Sequence, residues 1–135
     1  MKSFLFIFYL LTFAACQEHT NLAAQIKRIN SFVQLYRINA VLAEFDPNVE
    51  YVTYTAGTRA EGGYNGLRIW LNGLRQNNKD VQFYHVRTTL KGDITEADYK
   101  LIRSDGRRQY HEKGTIYVPK STGKINKIFR IDLSR

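Results

Sequence analysis

The residues in this chain that could carry out chemistry are few and widely spaced. Its three histidines, His19, His85 and His111, share no metal-ligand spacing with one another or with the single cysteine, Cys16, so no zinc signature is present. One cysteine also excludes an intrachain disulfide, and the fold has to be held by packing. Neither a Gly-x-Ser-x-Gly elbow nor a phosphate-cradling glycine loop occurs, and nothing asks for a cofactor. The candidate for acid–base work is His111, an imidazole that a neighbouring hydroxyl or carboxylate would orient.

Charge narrows the partners. The formal net charge is +8 over 135 residues, and clustered Lys and Arg would gain affinity for nucleic acid by releasing counterions. Here Lys27, Arg37, Arg59, Arg75, Lys91, Arg103 and Lys120 are dispersed among acidic neighbours, and only Arg107-Arg108 and Lys124-x-x-Lys127-x-x-Arg130 form groups. That spread describes a solvated basic surface, loosely attracted to anionic lipid or polysaccharide, with no nucleic-acid partner.

The elements that must position these residues follow from periodicity. From Asn21, apolar residues recur at Leu22, Ile26, Ile29, Val33 and Tyr36, then at Ile38, Val41, Leu42 and Phe45, steps of three and four that mark a helical face. They form one bent helix or two, parted near Asn30-Ser31 or Arg37-Asn39, and Asp46-Pro47-Asn48 ends them. Residues 49–55, β-branched and aromatic, read as a strand, and Thr58 to Gly63 as loop. Asn65 opens a helix whose Leu67, Trp70, Leu71 and Leu74 make one buried stripe. After Lys79 the period becomes two through 81–90, 94–103, 108–118 and 125–133, four strands joined by short glycine-bearing turns. Helices on one face of a curved antiparallel sheet give each layer's apolar side a partner, which is an α+β fold.

Ahead of this domain, Lys2 is followed by the apolar run Phe4 to Ala15, too short to span a bilayer and suited to an export signal over residues 1–15. Phe13-Ala14-Ala15-Cys16 resembles the lipobox of bacterial lipoproteins, with Phe13 where Leu is usual. The resemblance implies a lipidated Cys16, a tether over 16–21, a domain over 22–135, and a place on the membrane in the cell envelope. Cleavage after Ala14 with ordinary secretion is the alternative.

Residues 21–133 resemble the NTF2-like superfamily, which includes SnoaL-like proteins and ketosteroid isomerases. The likeness is carried by Leu42-Ala-Glu-Phe45 before a turn and strand, by Gly63-Tyr-Asn-Gly-Leu67-Arg-Ile-Trp70, by Gly106-Arg-Arg before a long strand, and by Gly123-Lys-Ile-Asn-Lys-Ile-Phe-Arg-Ile-Asp132 at the end. It implies an α+β cone of the cystatin-like class. The isomerases' base and oxyanion-holding acid align with Thr53 and Thr115, and a threonine hydroxyl is no base near neutral pH. The hydrolases' Arg-x-Asp appears as Arg103-Ser-Asp105, at a turn, and Arg130-Ile-Asp132, whose two charges share a strand face as a solvent-facing ion pair.

With Thr53 and Thr115 pointing into such a cone, strand alternation brings Tyr51, His111 and Tyr117 to the same side. Trp70 and Tyr99 add aromatic surface, and His85 joins them in one of two registers. The expected function is binding of a small, partly apolar molecule in this pocket. The alternatives are a SnoaL-like isomerase, cyclase or hydrolase using His111, and an interaction module that dimerises through its open sheet.

Overall fold

The computed structural model describes residues 22–133. The leader, Cys16, His19 and the tether lie outside the described residues. Helix α1 covers 22–34 and buries Leu22, Ile26, Ile29 and Val33, the expected face except for Tyr36, which is exposed. It stops where Tyr36 takes a left-handed backbone conformation (φ 59°), and the Arg37 N–H donates back to the Phe32 carbonyl at 2.9 Å. A single turn, α2 (Ile38–Leu42), follows, so the apolar stretch is two helices up to Leu42, while Phe45 and the expected Asp46-Pro47-Asn48 stop already belong to the first strand. Helix α3 (Gly63–Asn77) buries Leu67, Leu71 and Leu74. Among the described residues no helix is long and apolar enough to cross a membrane.

Six strands make one sheet: β1 (Phe45–Thr55), β2 (Thr58–Glu61), β3 (Asp80–Lys91), β4 (Ile94–Ser104), β5 (Gln109–Pro119) and β6 (Ile125–Asp132), in the order β2-β1-β6-β5-β4-β3. The expected antiparallel sheet holds at every junction but one. Strand β6 inserts beside β1 and runs parallel to it, pairing Tyr51 with Ile128 and Thr53 with Arg130; the chain between them supplies the long crossover that parallel neighbours require. The segment expected as loop contains β2. Ala56 and Gly57 both have positive φ (53° and 80°), the two-residue turn that matches strand twist, and Thr58–Glu61 is exposed throughout, so no apolar alternation announces it.

The core lies between the helices and the inner face of the sheet. Thr95, Ala97, Tyr99 and Leu101 of β4 stand opposite Val118, Ile116, Gly114 and Glu112 of β5, and these form the buried rows of the two strands. The ring of Tyr51 lies against the start of α3, where a Cβ on Gly62 or Gly66 would sit 3.0 or 3.3 Å from it. Glycine there allows strand and helix to approach closely.

Candidate functional site

Three neighbouring strands deliver charge to one end of the inner face. Glu112 is fully buried. Its Oε1 accepts from Arg130 Nε at 2.9 Å and from Arg130 Nη2, and its Oε2 accepts from Arg103 Nε at 3.1 Å. Arg130 Nη1 donates to the Tyr51 hydroxyl, and its guanidinium lies 4.0 Å over the Trp70 ring. Arg103 stacks 4.5 Å over Tyr110, with its Nη2 4.0 Å from Asp132 Oδ2. Burial works against the Arg130 charge, but Glu112, Tyr51 and Tyr99 outweigh it and raise its pKa above the ordinary arginine value. Burial also raises the pKa of Tyr51, against the pull of Arg130, and raises that of Tyr99 much further. Both are neutral phenols across the physiological range.

Behind the charges runs a wall of rings: Tyr51 stacks on Trp70 at 5.8 Å, Trp70 meets Phe83 edge-on at 6.3 Å, and Phe83 meets Tyr99 at 5.9 Å. Trp70 Nε1 and Tyr99 Oη are buried without a hydrogen-bond partner among the described residues. The enclosed hollow expected here is nearly absent. Between Ile26, Ile29, Trp70, Phe83 and Tyr99 only about 20 Å³ remains, room for about one water molecule. One open hollow, of about 220 Å³, sits at the mouth, walled by Trp70, Leu74, Asn77, Arg103, Glu112 and Arg130, and others of about 480 and 670 Å³ lie along Val86, Lys100 and Thr115 and beside Tyr54 and Phe129. Another hollow, of about 270 Å³, lies at the opposite end beside Leu22, Arg28 and Lys120. There the polar groups of Gln25 and Arg28 already bond Glu44 and Gly123.

The residues expected from sequence divide between the two faces. Tyr51, Trp70 and Tyr99 face the interior, and Thr53, half-buried, shares the Tyr51 face. His111, Thr115 and Tyr117 do not: β5 is one step out of the expected phase, and its inner row is Glu112, Gly114, Ile116 and Val118. The outer row carries the three expected residues, with Thr115 donating to Asp98 at 2.8 Å and Lys127 5.3 Å from the Tyr117 ring. His85 is exposed on the edge strand and bonds Thr88 at 2.7 Å. Arg130, expected as a solvent-facing partner of Asp132, points inward to Glu112. Asp105 holds the turn, accepting from the N–H groups of Arg107 and Arg108 at 2.8 and 2.9 Å. Glu112 is the residue sequence reasoning misses. The signal for it is that a turn centred on Gly106-Arg107 pairs position 112 with Leu101, placing a carboxylate opposite an inward leucine.

No family model matches the chain, and no curated protein is significantly similar in sequence. Solved structures are similar in shape. An NTF2-like protein of unknown function from Shewanella baltica superposes with a TM-score of 0.69 at 12% identity, covering 89% of this chain and 97% of that one. A putative scytalone dehydratase from Novosphingobium aromaticivorans gives 0.68 at 13% identity, over 90% and 87%. An NTF2-like protein of unknown function from an Exiguobacterium species gives 0.60 at 13%, over 83% and 97%. The fold is the NTF2-like cone. At such low identity the likeness fixes architecture and leaves chemistry to the residues.

Within this NTF2-like cone, neither position aligned with the isomerase carboxylates holds one. Glu112 is a poor base, because Oε1 already accepts two guanidinium N–H bonds and Oε2 a third, and a base needs a lone pair aimed at the proton it takes. The cluster holds charge in place and presents an aromatic, arginine-bearing rim.

Proposed function

We propose that this chain is an exported, lipid-anchored NTF2-like domain that binds a small, partly apolar molecule at the mouth of its cone, without catalysis. The observation that carries the reading is the mouth itself: a hollow with Trp70 on its wall and the Arg103–Glu112–Arg130 cluster on its floor, above an interior already filled. The missing isomerase carboxylates and the outward His111 weigh against the enzyme readings. Screening the chain from residue 17 onward against small apolar compounds tests it. Trp70 is the only tryptophan, so its emission reports on the mouth. A binder is expected to raise the melting temperature and shift that emission. A broad panel that changes neither, or binding that leaves Trp70 unaffected, would overturn the reading.

Anchoring at Cys16 suits this geometry. Gln25, near the start of α1, bonds the Gly123 carbonyl at 3.2 Å, which puts residue 22 at the end of the sheet where Ile94 pairs with Pro119; the mouth is at the other end, where Arg103 pairs with Tyr110. That is about 30 Å away at ~3.3 Å per strand residue, so a tether entering at the base turns the mouth from the membrane. Wild type is expected in the membrane fraction and Cys16→Ser in the soluble fraction; equal partitioning of the two would remove the anchor from the proposal.

A further inference from the structure

We infer that the molecule taken at the mouth is a carboxylate with an apolar body, its head group received by Arg103; this rests on the binding reading above. The two arginines of the cluster are not equivalent. Arg130 commits Nε, Nη1 and Nη2 to Glu112 and Tyr51 and acts as a counter-ion. Arg103 commits only Nε. Its Nη2 makes a long ion pair with Asp132 Oδ2 at 4.0 Å, beyond hydrogen-bond length. Glu112 and the Tyr110 ring fix the guanidinium, and its side chain stays 22% exposed. A planar guanidinium fixed in this way, lining the hollow with only a long ion pair to Asp132 on its Nη side, matches the two oxygens of a carboxylate better than any neutral group.

The surroundings favour the same class. Lys79 folds over the β4–β5 turn, its N–H bonding the Ser104 carbonyl at 2.8 Å and its side chain packed against Gly106. Arg107 and Arg108 lie on that turn, where Asp105 is engaged by backbone N–H groups. Asp80 and Asp132 are the other carboxylates at this end, and Glu112 already carries two guanidinium partners. Trp70 and Leu74 supply apolar surface for the body, and Gly73 and Asn77 line the α3 side of the hollow.

Titration of Trp70 fluorescence with phenylbutyrate and with phenylbutyramide, equal in shape and different in charge, tests the inference. The acid is expected to bind about tenfold more tightly, the effect of exchanging a neutral for a charge-assisted hydrogen-bonded pair. Arg103→Lys keeps a cation beside Glu112 but removes the fork, and is expected to abolish most of that preference by weakening the acid far more than the amide. Equal affinities would overturn the carboxylate inference and leave binding at the mouth intact. A preference that survives Arg103→Lys would overturn the role of Arg103. Failure of both probes to change Trp70 emission or the melting temperature would overturn the inference and count against the binding reading with it.

Discussion

Glu112→Ala is expected to cost about 3–5 kcal/mol, because it leaves two guanidinium groups at a largely buried site without their counter-ion. A domain of this size has about 5–15 kcal/mol of stability in all, so the variant should melt at least about 10 °C below wild type or fail to accumulate folded. The cost comes from what remains. Arg130 is inward, under Trp70 and against Tyr51, and cannot recover its hydration without leaving the cone. Glu112→Gln keeps the shape but not the charge, and should fall between alanine and wild type. Replacing the cluster together, with Arg103→Met, Glu112→Leu and Arg130→Met, should recover most of the loss, since a buried ion network and a well-packed apolar one are often close in stability. Thermal melts and urea titrations of the three variants decide the matter. Glu112→Ala melting within about 3 °C of wild type would mean that the carboxylate is not the keystone of this end of the cone.

Such a cluster is hard to read from sequence for a physical reason. The helical faces of α1 and α3 are local patterns, legible because Leu22, Ile26, Ile29 and Val33, or Leu67, Leu71 and Leu74, recur at the period that buries one side of a helix. The inner row of β4 is equally plain in Ala97, Tyr99 and Leu101. Strand β5 mixes polar and apolar residues on both rows, so alternation alone cannot choose between His111-Lys113-Thr115-Tyr117 and Glu112-Gly114-Ile116-Val118. What decides is the partners: the Arg130 that pairs with Glu112 is 18 residues further on, and Tyr51 is 79 residues from Arg130. The parallel junction of β1 with β6 is likewise set by long-range packing and leaves no trace in either strand's own residues.

Gly114→Ala should be about as damaging as a core overpacking mutation can be, roughly 3 kcal/mol at the upper end of that range. Gly114 does not have positive φ, so its glycine is needed for space and not for backbone freedom. A Cβ there would stand 2.5 Å from the Tyr99 hydroxyl and closer still to the Phe129 carbonyl. Neither neighbour can yield easily. The Tyr99 ring is buried against Phe83, and the Phe129 carbonyl belongs to β6, which pairs with β5 at this level. Trimming the ring should therefore rescue only part of the loss: Tyr99→Leu in the Gly114→Ala background removes one clash and leaves the other. The same ring helps fill the interior of the cone, where only about 20 Å³ remains, which ties this prediction to function. Tyr99→Ala alone should open an internal cavity that takes up small apolar molecules the wild type excludes. A Gly114→Ala protein with wild-type stability would mean that Tyr99 does not occupy this position, and an enclosed ligand pocket would again be the better account.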